Sequence, residues 1–122
     1  MKKLYIILFL LLIVAANQGF AQIKTVTVQV SSNKYTPQDI AVNVGDTILF
    51  QWVGGTHPTE SDDALWTTFT SSSTNNIKKI PVTSAFTQGF HTYYCTLHGS
   101  KGGYPNFMTG RISVNNVAAS IA

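Results

Sequence analysis

Four side chains able to bind a transition metal are the main candidates for chemistry in this sequence. Cys95 and His98 are separated by two residues, Met108 follows after a further stretch, and His57 lies far upstream. A thiolate, two imidazoles and a weak thioether form the ligand set of a blue-copper electron-transfer site. The set therefore predicts a site for one copper ion per chain that moves electrons and carries out no bond chemistry.

Other chemistries could use some of the same residues. In an enzyme, Cys95 would be a nucleophile with His57 or His98 as its base, but no third orienting group occurs at a recognisable spacing. We therefore expect a non-enzyme. A zinc site of two histidines and one cysteine is chemically allowed. So is a periplasmic copper-binding or copper-delivery protein that uses the same ligands without obligatory redox cycling.

The elements that must position these side chains are predicted to be β-strands. Val26, Val28 and Val30 alternate with polar residues, and Ile48, Phe50 and Trp52 do the same. Such alternation is typical of strands with one buried face. Residues 90–95 are predicted to form a strongly aromatic strand, and residues 110–114 the last strand. Pro81 limits residues 79–82 to a sheet edge or a strand end. Short strands separated by turn signals predict an all-β, Greek-key β-sandwich.

Two segments are predicted to lack regular structure. Residues 54–63 are rich in Gly, Thr, Pro and acidic residues, and this composition favours a loop. Residues 115–122 are predicted to be a flexible tail. The acidic residues Glu60, Asp62 and Asp63 are accordingly expected to be solvated loop charges.

The N-terminus has the plan of an export signal. Lys2 and Lys3 precede an apolar run from Leu4 to Ala16, and Gly19-Phe20-Ala21 then supplies a small residue, any residue and a small residue. The run is shorter than the about 20 apolar residues of a transmembrane helix, so it predicts a cleaved signal peptide over residues 1–21. We expect a periplasmic or secreted mature chain, residues 22–122, that is one monomeric domain without a membrane anchor.

Composition excludes two broad classes. Charged residues make up only 11% of the 122 residues and hydrophobic residues 44%, which argues against disorder. The formal charge is +3, but Lys2 and Lys3 contribute two of these positive charges. The other basic residues are scattered along the chain, whereas nucleic-acid binding needs a clustered basic surface. No nucleic-acid partner is therefore expected.

Three stretches of the mature chain resemble the plastocyanin, pseudoazurin and azurin group of cupredoxins. Tyr35–Trp52 is similar to the lead-in to the family's first histidine ligand, with Pro37 and the Gly-Asp-Thr turn at residues 45–47. Gly89–His98 resembles the strand that ends in the copper cysteine and second histidine. Met108–Ile112 matches the axial methionine with its trailing glycine.

The resemblance implies roles for individual residues. His57, Cys95 and His98 would be equatorial copper ligands and Met108 the axial one, in a carrier of single electrons between a redox protein donor and acceptor. Tyr94 would correspond to a surface tyrosine that relays electrons, or it is an ordinary strand aromatic. His91, on the same strand face as Cys95 but a strand's length away, is expected to be an interior histidine and not a ligand.

Two positions depart from the family pattern. Nine residues separate His98 from Met108, where the family has three or four. We expect this loop to bulge away from the metal, return Met108 beneath it, and form an apolar rim beside His98 from Tyr104, Pro105 and Phe107. The second departure is Pro58, which follows the first histidine and lacks the backbone N–H that the family directs at the thiolate.

Overall fold

The computed structural model describes residues 22–115, which form nine β-strands and no helix. The strands are β1 (Thr25–Ser31), β2 (Lys34–Thr36), β3 (Asp39–Asn43), β4 (Thr47–Trp52), β5 (His57–Ser61), β6 (Phe69–Ser71), β7 (Ile77–Pro81), β8 (Gly89–Cys95) and β9 (Thr109–Asn115). A search of these residues finds no helix of the length and apolarity needed to cross a membrane. The predicted signal peptide over residues 1–21 and residues 116–122 of the predicted tail lie outside the described residues, whereas Asn115 is the last residue of β9.

The strands form two mixed sheets, as the predicted all-β sandwich requires. One sheet has the order β2-β1-β4-β7 and the other β3-β9-β8-β5-β6. The β1–β4 and β3–β9 pairs are parallel, and the remaining pairs are antiparallel. The predicted edge near Pro81 is confirmed, since β7 ends one sheet.

A cluster of aromatic rings fills the space between the sheets. The ring of Tyr93 lies 5.4 Å from that of Phe50 and 4.8 Å from that of Tyr35, and both pairs meet edge to face. Trp66 covers this cluster at 5.7 Å from the rings of both Phe50 and Tyr93. Edge-to-face contacts add stability beyond the area that the rings bury. The cluster therefore packs the two sheets against each other, and its central residue Tyr93 is two residues before Cys95 on the buried face of β8.

The prediction of a loop over residues 54–63 was wrong for residues 57–61 and correct for the flanking residues. Residues 57–61 form strand β5, which pairs with β6 on one side and β8 on the other. His57, Thr59 and Ser61 are buried and alternate with partly exposed residues. Period-two alternation was present, but the buried residues are polar, and a search for apolar alternation misses them.

Strand pairing places the candidate ligands at one end of the sandwich. β5 begins at His57, and its antiparallel partner β8 ends at Cys95. β9 begins at Thr109, opposite Tyr94 near that same end of β8. The start of β5, the end of β8 and the start of β9 therefore meet, although their residues are far apart in sequence.

Candidate metal centre

Three of the predicted ligands have their donor atoms close together. The Nδ1 atoms of His57 and His98 lie 3.7 and 3.5 Å from the Sγ of Cys95, and all three donor atoms are within 4.8 Å of one another. Metal–nitrogen bonds of about 2.0 Å and metal–sulfur bonds of about 2.3 Å place N and S about 3.5 to 3.8 Å apart around one ion. The residues present therefore fit a single soft or borderline metal ion.

His57 is held in the orientation and tautomer that a ligand needs. Its side chain is buried, and its Nε2 lies 2.8 Å from the carbonyl oxygen of Gly54. A carbonyl oxygen only accepts, so Nε2 carries the proton and the lone pair of Nδ1 faces Cys95. Burial lowers the pKa of His57, and the Gly54 carbonyl only partly offsets this effect. The imidazole is consequently kept neutral.

A tight glycine turn next to His57 belongs to the site, and sequence reasoning missed it. The indole Nε1 of Trp52 donates to the carbonyl oxygen of Gly55 at 2.6 Å. Gly55 has a φ of +82°, and a Cβ at this position would overlap the imidazole ring of His57. Only glycine combines this conformation with so close an approach. The Gly-Gly pair at residues 54 and 55 was the available signal.

Cys95 is fully buried at the end of β8, in a rigid backbone environment. Its N–H donates to the carbonyl of Met108 at 3.0 Å, and its own carbonyl accepts from the N–H of Gly99 at 2.8 Å. Next to it, the N–H of Thr96 donates to the carbonyl of Pro58 at 2.9 Å. The backbone that carries the thiol is thereby hydrogen-bonded to both β5 and the residue before β9.

The backbone of Met108 lies beside Cys95 and His98 despite the long loop that precedes it. Its side chain is fully buried in the same core cluster as Cys95, and its N–H donates to the carbonyl of His98 at 3.3 Å. Gly99 makes this closure feasible, because a Cβ there would overlap the Met108 carbonyl. The extra residues therefore leave and re-enter the fold at neighbouring points.

His98 is the exposed member of the cluster. Leu97 beside it is 63% exposed, and Phe107, one residue before Met108, is 81% exposed. The predicted rim is only partly correct. Pro105 and Phe107 are exposed, but the hydroxyl of Tyr104 bonds Asp39, in β3 on the far side of β9.

His91 and the acidic residues lie apart from the donor cluster. His91 is buried, with Nδ1 at 2.5 Å from Asp63 and Nε2 at 2.7 Å from the carbonyl oxygen of Thr87. Burial acts to lower the pKa of His91, but these two partners outweigh it and raise the pKa. The expectation that Asp62 and Asp63 are merely solvated was wrong, since both make specific contacts with β8.

Tyr94 lies on the outer face of β8, directly after Tyr93 and before Cys95. Its side chain is half-buried, and partial burial, together with the acidic side chains of Glu60 and Asp62 nearby, raises its pKa. Glu60 is the residue opposite Tyr94 in the β5–β8 pair. Tyr94 therefore lies beside an acidic neighbour.

Comparison with known proteins identifies the architecture. No protein-family model matches the chain, and no curated protein matches it by sequence. Among solved structures, plastocyanin from Dryopteris crassirhizoma is 25% identical with a TM-score of 0.59, and the match covers 73% of this chain and 99% of that one. Amicyanin from Paracoccus versutus is 16% identical with a TM-score of 0.58 over 75% and 81% of the two chains.

A third solved structure has the same fold at a similarly low sequence identity. Pseudoazurin from Hyphomicrobium denitrificans is 17% identical, with a TM-score of 0.54 over 75% of each chain. At such identities the amicyanin and pseudoazurin matches show the fold alone. The resemblance to cupredoxins expected from the sequence is confirmed, and the fold is a cupredoxin β-sandwich.

Proposed function

We propose that this protein binds one copper ion through His57, Cys95 and His98, with Met108 as a weak axial ligand, and carries single electrons between redox proteins. The observation that carries the proposal is the convergence of two imidazole Nδ1 atoms on one buried thiol. Copper, when bound, supplies a Cu(I)/Cu(II) couple for one-electron transfer. The cupredoxin fold supports this function.

The protein scaffold holds the metal-ligating side chains in fixed positions. His57 is fixed by the Gly54 carbonyl, and Cys95 is fixed by backbone hydrogen bonds to Met108 and Gly99. Donors that do not move with oxidation state keep the reorganisation energy small. Rigid placement on strand ends therefore favours rapid electron exchange over substrate chemistry.

The exposed His98 provides the route to redox partners. His57 and Cys95 are buried, whereas His98 is exposed, and the exposed apolar residues Leu97 and Phe107 directly precede His98 and Met108 in the chain. A small apolar area around an exposed ligand suits brief docking, because it can pack closely against a partner without strong charge attraction. We infer that donor and acceptor dock here.

The predicted signal peptide over residues 1–21 supports export, so we propose that the mature chain acts as a monomer in the periplasm or outside the cell. A lone thiol in an oxidising compartment is vulnerable unless buried or coordinated. Cys95 is fully buried. Its burial is consistent with both export and metal binding.

The decisive experiment is loading the purified protein with Cu(II) and recording its visible spectrum. We expect an intense blue absorption that is absent in Cys95→Ser, while circular dichroism shows the same β-sheet content in both proteins. The serine hydroxyl is too weakly acidic to supply a thiolate-like ligand. A colourless copper complex in the wild type would favour copper delivery, and preference for zinc would favour a zinc site.

A further inference from the structure

The loop between His98 and Met108 folds back over the outer face of the five-stranded sheet. Its ends are closed by the Gly99–Cys95 and Met108–His98 backbone hydrogen bonds. Between those ends, residues 100–107 make contacts with β3, β9 and the end of β5. The loop therefore has anchors away from the candidate metal site.

Tyr104 is the first anchor. Its hydroxyl donates to Oδ1 of Asp39 at 2.5 Å, and its ring lies 4.9 Å from the guanidinium carbon of Arg111. Arg111 also donates from Nε to Asp39 at 2.9 Å and contacts the ring of Phe90 at 4.2 Å. Tyr104 thus contacts the Asp39–Arg111 ion pair that joins β3 and β9.

Asp62 is the second anchor, on the other side of the loop. Its Oδ2 accepts from the hydroxyl of Thr92 at 2.5 Å and from the N–H of Gly102 at 3.1 Å. Its own N–H donates to the carbonyl of Thr92 at 3.0 Å. Asp62 is consequently fixed to β8 and presents a charged acceptor to the loop backbone.

We propose that Tyr104 and Asp62 are positioning residues for the metal centre. The two anchors lie on opposite sides of a loop whose ends are the candidate ligands His98 and Met108, so together they restrict the movement of both ligands. A loop of this length without anchors would sample many conformations, because glycines at 99, 102 and 103 leave its backbone flexible. The metal-dependent part of this proposal rests on the proposed function.

The chain offers a matched control for Tyr104. Phe90 contacts the same Arg111 guanidinium as Tyr104 but belongs to β8 and not to the loop. Tyr104→Leu and Phe90→Leu each remove one aromatic ring from Arg111, yet only Tyr104→Leu also removes a contact that holds the loop. Tyr104→Phe keeps the ring and removes only the hydrogen bond to Asp39, and Asp62→Ala removes the second anchor.

The first measurement is hydrogen exchange on the metal-free proteins. We expect amide exchange over residues 100–107 to accelerate about tenfold in Tyr104→Leu and in Asp62→Ala, with exchange of the strand amides unchanged. Phe90→Leu leaves the loop as in the wild type, and Tyr104→Phe gives an intermediate rate. Unchanged loop exchange in both anchor variants, or equal acceleration in Phe90→Leu, overturns the anchoring.

The second measurement separates positioning from mere loop stability. In the copper-loaded proteins we expect transfer of Cu(I) to the chelator bicinchoninate to accelerate about tenfold in Tyr104→Leu, with an altered Cu(II) electron paramagnetic resonance spectrum. A loosened loop with wild-type copper release and spectrum refutes the positioning role. If the wild type forms no blue centre, the proposed function fails, and the positioning of copper ligands fails with it, whereas the exchange measurement still decides the anchoring. If Tyr104→Leu does not fold, Tyr104→Phe and Asp62→Ala decide the result.

Discussion

Pro58 directly follows the candidate ligand His57 and has no backbone N–H to offer the candidate copper thiolate. The carbonyl oxygen of Pro58 accepts from Thr96, so the hydrogen-bonding edge of this residue faces the end of β8. In an antiparallel strand the N–H and C=O of one residue point to the same side. The nitrogen of Pro58 therefore also faces the end of β8, where Cys95 lies, but proline has no hydrogen to donate. Within residues 22–115, the hydrogen-bond contacts of Cys95 Sγ are with the two imidazole Nδ1 atoms.

Replacing Pro58 with alanine is expected to raise the reduction potential. A new N–H would donate to the thiolate, withdraw charge from it and favour Cu(I). A hydrogen bond to a charged group contributes about 1.5 to 3 kcal/mol. If about a third to a half of this differs between the oxidation states, the potential rises by roughly 20 to 60 mV, at about 59 mV per tenfold change in the one-electron equilibrium constant.

Redox titration of the wild type, Pro58→Ala, Pro58→Val and Pro58→Gly measures this shift. The three variants restore the same donor but differ in backbone stiffness, so the hydrogen-bond account predicts a similar rise in all three. If loss of the proline ring only loosens the site, the effect grows from valine to glycine and has no consistent sign. An unchanged or lower potential in Pro58→Ala, with the copper spectrum intact, refutes the reasoning.

Three further outcomes are expected. Gly55→Ala forces a Cβ against His57 at a positive φ, so it should cost about 1 to 2 kcal/mol of stability and weaken metal binding by calorimetry; Gly54→Ala, whose added methyl meets only Ser32 Oγ at 3.6 Å, is the control. Phe50→Ala should lower the free energy of unfolding in urea by about 3 to 5 kcal/mol, and a loss below about 1 kcal/mol would contradict its central packing. The pKa of His91 is raised in the folded protein by Thr87 and Asp63. The contribution of these contacts to the free energy of unfolding is therefore complete below the unfolded-state pKa of 6.5 and is lost as the pH rises through the higher folded-state pKa. The metal-free wild type should therefore lose a stability advantage over His91→Gln as the pH rises above 6.5, and a constant difference would exclude this linkage.

The sequence predicted the parts of the fold that depend on local apolar alternation. Val28, Val30, Ile48 and Phe50 are buried as their spacing indicates. Pairing was not predictable, because the parallel registers of β1 with β4 and β3 with β9 depend on contacts between distant segments. β5 was missed because its buried residues are polar and its composition is that of a loop.

The candidate ligands were found from residue chemistry, whereas their supports were not. His57, Cys95 and His98 are recognisable as a ligand set, and the structure places their donors together. The hydrogen bond from His57 to Gly54, the Trp52–Gly55 contact and the loop anchor at Asp62 leave little trace in a single sequence. Such contacts depend on backbone atoms, which every residue type supplies.

The interior position of β9 in the five-stranded sheet links completion of the candidate site to long-range strand pairing. β9 lies between β3 and β8, so the five-stranded sheet closes only after residues late in the chain have docked against a strand near its beginning. Folds dominated by such non-local pairing fold in milliseconds to seconds, slowly for their size. Met108 leads directly into β9, and its backbone hydrogen bond to Cys95 requires β9 to be docked on β8. The full donor set thus exists only in the native state, and an ion that binds this set raises the melting temperature in proportion to the logarithm of its free concentration.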